Sequence, residues 1–117
     1  MAKILVVDDE NALRVLYKHE LTQDGHDVDL ASTADEAVAK VRETAYDVVI
    51  LDIRMPGKDG LEALTEMFAE RRNIKVIINS AYSSYKENFI SWAAEHYVVK
   101  SADTTELKEK IAQVLGG

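Results

Sequence analysis

The sequence predicts an α/β fold: five strand–helix units, (βα)5, wound as a sandwich around one parallel sheet. Three observations carry this. Five short apolar runs recur at residues 4–7, 28–31, 48–51, 76–78 and 97–99, each of strand length. Between them, apolar residues fall three or four apart, as in Leu13, Leu16, Tyr17 and Leu21 or Leu107, Ile111, Val114 and Leu115, the period of an amphipathic helix. Every gap between runs is 15 residues or longer, too long for a hairpin and right for a helix crossing between parallel strands.

Each element has its own local warrant. The first run, Ile4 to Val7, stops at Asp8, and the first helix stops at Gly25, where a left-handed cap is wanted. Asp27-Val28-Asp29-Leu30 alternates polar and apolar residues, which exposes one face and places the second strand at an edge. Ser32 and Asp35 have capping-box spacing for the second helix. The third run, Val48-Val49-Ile50-Leu51, is apolar on both faces, as an interior strand covered by helices on each side requires. Gly60 opens the third helix after a loop holding the lone proline, Pro56. The fourth run precedes a helical segment, 83–92, in which Phe89 and Trp92 read as core while Tyr85, with Tyr82 before it, is placed to reach a partner. By analogy with sheets of this kind, the strand order is 2-1-3-4-5.

Composition bounds the function. The chain has 117 residues with 14 basic and 21 acidic side chains, a formal net charge of −7, so one domain spanning 1–117 is expected. With 47% hydrophobic residues it can fill a core. Its charge gives no footprint for direct nucleic-acid or membrane binding. Without cysteine there is no disulfide framework and no thiolate metal site. Four apolar residues before Asp8 are far short of a signal peptide or a membrane span, so a soluble, cytoplasmic protein is expected.

Chemical residues collect where the strands end. Asp8 and Asp9 follow the first run, Asp52 the third, Asn79 and Ser80 the fourth, and Lys100 the fifth. Parallel strands bring these positions to one sheet edge, where ligands of open α/β sheets bind, near the point where strand order reverses. Taken singly, each has an ordinary explanation: Asp8 or Asp9 as a helix cap, Asp52 or Ser80 as a turn residue, Lys100 as a solvated charge and Glu10 as surface. Together they differ. Like charges about 4 Å apart repel by roughly 1 kcal/mol in water and about 4 kcal/mol at an effective dielectric of 20, so three clustered carboxylates need cations. An all-oxygen donor set favours a hard ion such as Mg²⁺. Such an ion with Lys100 and the Ser80 hydroxyl suits a site that holds a phosphoryl group against a carboxylate nucleophile. Asp52 is the preferred nucleophile, because it stands alone after the central strand while Asp8 and Asp9 form a metal pair.

Asp8-Asp9-Glu10, Leu51-Asp52-Ile53-Arg54-Met55-Pro56-Gly57 through Asp59-Gly60-Leu61, Ser80-Ala81 and Tyr97-Val98-Val99-Lys100 together resemble the receiver domain of bacterial two-component response regulators, of the single-domain chemotaxis-regulator kind. The resemblance covers about residues 3–115. It implies a flavodoxin-like fold and an Asp52 that accepts a phosphoryl group from a histidine kinase or phosphotransfer protein, assisting its own phosphorylation and slow dephosphorylation. It also implies that Asp9, Asp52 and the Arg54 carbonyl ligate Mg²⁺ or Mn²⁺, that Asp8 assists through water, and that Lys100 and Ser80 contact the phosphoryl oxygens. Ser80 and Tyr97 would then switch, presenting a surface of the fourth helix, fifth strand and fifth helix to a downstream effector. A monomer or a weak, phosphorylation-dependent dimer is expected.

Two features depart from the family pattern or vary within it. Ser101 stands where the family has a proline in a cis peptide; a non-proline cis bond costs about 2.5–4 kcal/mol, so a trans bond with a reshaped loop, or a strained cis bond, is expected. Arg54 and Tyr82 occupy the variable positions that tune phosphoryl lifetime, and their bulk predicts shielding from water. Other readings fit less well. An aspartyl-phosphate phosphatase wants a second acid where Arg54 stands, and a flavin carrier wants a hydroxyl- and glycine-rich loop where Asp8, Asp9 and Glu10 stand. A receiver cut from a larger regulator with a DNA-binding or enzymatic output domain is the closer alternative; a stand-alone receiver is expected, since the chain starts at Met1 and ends after a complete last helix.

Overall fold

The computed structural model describes residues 2–53, 55, 60–81, 94–101 and 103–116. Among them run β1 (Lys3–Val7), α1 (Asn11–Gln23), β2 (Asp27–Ala31), α2 (Ala34–Glu43), β3 (Val48–Leu51), α3 (Gly60–Glu70), β4 (Val76–Ser80), β5 (His96–Val99) and α4 (Thr105–Gly116). The helix expected at 83–92, with Tyr85, Phe89 and Trp92, lies outside the described residues, as do Arg54, Pro56 and Tyr82. The last helix of the chain is therefore α4 here. All strand pairs are parallel and the order is β2-β1-β3-β4-β5, the doubly wound arrangement expected.

The period of two along each strand sorts the core into two layers. Ile4, Val6, Val48, Ile50, Ile77 and Val98 pack against Tyr17 and Leu21 of α1 and Leu107, Ile111 and Val114 of α4. Leu5, Val7, Val49, Leu51, Val76 and Ile78 face the other way, onto Ala37, Val38 and Val41 of α2 and Ala63, Leu64 and Met67 of α3. The alternating β2 sits at an edge as its pattern requires. Leu115, expected on the inner face of the last helix, is instead exposed, because Ile111 and Val114 already fill the width of that stripe.

Helix ends follow the local chemistry, with one correction. After α1, Gly25 takes φ +91°; its N–H donates to Thr22 O at 3.0 Å and the His26 N–H to Leu21 O at 3.2 Å, the paired bonds of a Schellman end. The capping box of α2 is one residue later than the Ser32–Asp35 spacing suggests. Thr33 is the N-cap, its hydroxyl accepting from Glu36 N at 3.1 Å, and Glu36 Oε1 accepts in turn from Ser32 N at 2.6 Å. Glutamate has the extra methylene needed to fold back to the backbone, which Asp35 lacks. A second correction concerns β4, which continues through Asn79 and Ser80 because the ladder to β5 pairs Asn79 with Val98 and Ser80 with Val99.

At the opposite edge of the sheet, the Tyr46 hydroxyl donates to Asp29 Oδ2 at 2.7 Å. That bond holds the Asp29 carboxyl below its ordinary value near 3.8. A carboxyl depressed in the folded state contributes stability above its unfolded pKa and loses it as pH falls. Tyr46→Phe should therefore be less stable than the wild type at neutral pH, with the gap closing on acidification below about pH 4; urea titrations at pH 7 and pH 3 measure it, and an equal gap at both would contradict this role for the bond.

Candidate functional site

The C-terminal ends of β1, β3, β4 and β5 carry the chemical residues to one edge, at the β1–β3 boundary where strand order reverses. Asp8 leaves β1 with its N–H on Ala31 O at 3.1 Å. Its Oδ1 accepts from Glu10 N at 2.9 Å, and its carbonyl accepts from the Arg14 guanidinium at 2.6 Å. The turn role and the site role thus use different oxygens of one carboxylate. Asp52 leaves β3 with its N–H on Val7 O at 2.9 Å.

Lys100 joins these acids. Its Nζ lies 2.9 Å from Asp8 Oδ2 and 3.0 Å from Asp52 Oδ2. The side chains of Lys100, Asp8 and Asp52 are 10%, 2% and 4% exposed, so these contacts are screened far less than surface pairs. Burial alone would push the Lys100 ammonium down, but the hydrogen bonds and charges of Asp8 and Asp52 outweigh it and hold the lysine above its usual range. Glu10, read from sequence as plain surface, reaches Lys100 at 3.5 Å while remaining exposed. Its place one residue into the same turn was the available signal.

Asp8, Asp9 and Asp52 each offer a carboxylate oxygen within 4.8 Å of the others, with Asp9 the exposed member. Three hard oxygen donors at that spacing, open to solvent on one side, fit a divalent ion such as Mg²⁺ or Mn²⁺. Ser80 is fully buried at the end of β4, and its carbonyl accepts from Lys100 N at 2.7 Å, which ties its backbone to that of Lys100. The Lys100–Ser101 peptide is trans, the first of the two geometries expected without proline. Tyr97 is half-buried on β5, opposite Ile78 of β4, against the core layer that holds Val76 and Ile78, three residues before Lys100. Sequence reading passed over Arg14, which braces the Asp8 carbonyl, and the hydroxyl of Tyr17, which accepts from Asn79 Nδ2 at 3.0 Å.

Gly60 fixes how close α3 comes to Asp52. A Cβ there would lie 2.4 Å from Ile53 Cα and 2.6 Å from Asp52 O, and the Gly60 N–H donates to Ile53 O at 2.7 Å. Helix propensity alone favours alanine over glycine by about 1 kcal/mol. The clash with backbone reverses that sign. Gly60→Ala should destabilise the fold by about 1–3 kcal/mol, read by chemical denaturation; a stabilised variant would show that α3 can step back freely.

The family model for the response regulator receiver domain matches residues 4–112. The chain belongs to this receiver family. Among solved structures, this receiver is 47% identical to the response regulator protein TrrA from Thermotoga maritima, in complex with Mg²⁺–BeF, over 98% of this chain and 100% of that one, with a TM-score of 0.94. A structure of histidine kinase ThkA in complex with TrrA matches at 47% identity, 98% and 99% coverage and a TM-score of 0.91. Among curated proteins, the two-component response regulator PhoP of Pseudomonas aeruginosa is 30% identical over 115 residues, 97% of this chain and 51% of that protein. The chain thus spans about half the length of the first curated relatives it matches. Among the described residues, no helix is long and apolar enough to cross a membrane.

Proposed function

We propose that this receiver is the phosphoacceptor of a two-component relay, in which Asp52 takes a phosphoryl group from a histidine kinase or phosphotransfer protein. The observation that carries this reading is the placement of Lys100 Nζ within 3.0 Å of both Asp8 and Asp52, beside a third carboxylate at the switch point of the sheet. An Asp52 oxygen forms the new P–O bond as the P–N bond of the phosphohistidine donor breaks, and the imidazole leaves with the electron pair. Bound at Asp8, Asp9 and Asp52, Mg²⁺ or Mn²⁺ would neutralise charge on the phosphoryl oxygens. Lys100 supplies a second cation there, and the Ser80 hydroxyl donates to an oxygen of the attached group. Positioning and charge neutralisation do the chemistry, as phosphoryl transfer requires. That TrrA is solved in complex with Mg²⁺–BeF and in complex with histidine kinase ThkA supports a metal-dependent phosphoacceptor and a kinase partner for this chain.

The added charge and acceptor oxygens bias a two-state surface through Ser80 and the neighbouring Tyr97. A downstream effector would read that surface along β5, α4 and the segment 83–92. Arg54 and Tyr82, outside the described residues, are assigned to slow loss of the phosphoryl group, and the cytoplasm is the expected location. The test is intact mass after incubation with Mg²⁺ and acetyl phosphate, beside a sample treated with a chelator. One added phosphoryl unit that requires the metal is expected. A folded chain that takes no label in Mg²⁺ would overturn the reading.

A further inference from the structure

Tyr17 in α1 and Asn79 in β4 are each 2% exposed, and the Asn79 amide donates to the Tyr17 hydroxyl at 3.0 Å. That bond uses one amide hydrogen and one lone pair. Among the described residues the Asn79 carbonyl oxygen and the Tyr17 hydroxyl hydrogen have no protein partner. Turning the amide over changes which atoms are left and still leaves polar functions without one. Both side chains line the floor of a cleft of about 120 Å³, walled also by Val98 and Leu107, which opens to solvent past the exposed Ser101, Asp103 and Glu106.

A buried polar group without a partner costs about 1–3 kcal/mol, and native proteins meet that need with ordered water wherever the cavity is polar and roomy. One water needs roughly 10–15 Å³ and two to four polar partners, so this cleft has space for several. Its walls supply further partners. Ser101 Oγ accepts from Asp103 N at 3.1 Å, which leaves its hydrogen to donate, and Thr104 Oγ1 donates to Glu20 at 3.3 Å, which leaves its lone pairs to accept. Burial raises the Tyr17 pKa against the opposing pull of Asn79 and Lys100, so the hydroxyl keeps its proton at neutral pH.

The position gives the cleft its interest. Asn79 immediately precedes Ser80, and Ser101 immediately follows Lys100. We propose that the cleft is a built water-binding site, in which ordered water joins Tyr17 and Asn79 to the Ser101 turn and so positions the backbone carrying Ser80 and Lys100. Tyr17 and Asn79 are then positioning residues, since neither reaches the phosphoryl group. The positioning role rests on the phosphoacceptor reading above, whereas the water site stands apart from it.

The test uses the full chain. Magnetisation transfer from water to the protein, measured by NMR on ¹⁵N-labelled material, should give a cross-peak of a long-lived water at the Asn79 side-chain amide. The double variant Tyr17→Phe, Asn79→Leu removes both polar partners with little change in volume, so its melting temperature should hold. Its labelling rate at saturating acetyl phosphate should fall about threefold or more, with the Mg²⁺ concentration for half-maximal rate unchanged. A fall in labelling rate that tracks a fall in melting temperature would mark the pair as merely structural and overturn the positioning role. No cross-peak in the wild type, or labelling of the double variant at the wild-type rate, overturns the proposal. If the double variant fails to fold, Tyr17→Phe alone carries the same rate comparison. A wild-type chain that takes no label overturns the phosphoacceptor reading and the positioning role with it, and the cross-peak then still decides whether water is bound.

Discussion

Asp52→Asn is expected to bring phosphoryl labelling by acetyl phosphate in Mg²⁺ down to background while the protein stays folded. The substitution keeps the shape of the side chain and removes the anionic oxygen that attacks phosphorus, so the nucleophile is lost without opening a cavity. It also removes one charge from a group of three clustered carboxylates, which relieves repulsion, and Lys100 retains Asp8 at 2.9 Å. The fold should therefore survive. Intact mass and circular dichroism on the same samples measure both effects. Peptide mapping of the labelled wild type should place the group on Asp52. Label retained by the variant, on Asp8 or Asp9, would reassign the nucleophile and leave Asp52 as a metal ligand.

Lys100→Met should change stability and metal binding together. In metal-free buffer the variant leaves Asp8 and Asp52 buried without the ammonium they share, and removing one partner of a buried ion pair costs about 3–5 kcal/mol. The same lysine contacts Asp8 Oδ2 and Asp52 Oδ2, both carboxylates of the proposed metal set. A divalent cation thus competes with it in the wild type and replaces it in the variant. Mg²⁺ should raise the melting temperature of Lys100→Met more than that of the wild type, through preferential binding to the folded state. Labelling should nevertheless fall by about 10²–10³ even at saturating Mg²⁺, the usual loss when one preorganised donor to developing charge is removed. Equal Mg²⁺ shifts in the two proteins would show that lysine and metal do not share these oxygens, and undiminished labelling would remove Lys100 from the transfer step.

The register of these residues was legible in the chain because strands and sites obey local rules. Apolar runs of three or four residues separated by helix-length gaps read as strands, and a parallel sheet brings every strand end to one edge. Asp8, Asp52, Ser80 and Lys100 could therefore be grouped before any distance was known. Gly25 was equally readable, since only its lack of a Cβ makes φ +91° easy. The α2 cap falls one residue later than the sequence spacing indicates, because Ser32 and Thr33 are both good caps and the choice turns on whether Asp35 or Glu36 reaches back. That choice is one of side-chain length within a folded turn.

What the sequence determined by itself is the succession of strands and helices, the edge at which chemistry gathers and the acidic, cysteine-free donor set, all consequences of period, length and residue type. Tertiary structure alone decided the pairings. Lys100 meets Asp8 across 92 positions and Asp52 across 48, Gly60 admits α3 to the Asp52 backbone, and Tyr17 meets Asn79 across 62. Such contacts depend on how far each strand end projects and on which hydroxyl, amide or ammonium the packed layers leave facing it. No local pattern encodes that, because the atoms involved become neighbours only once both sides of the sheet have closed.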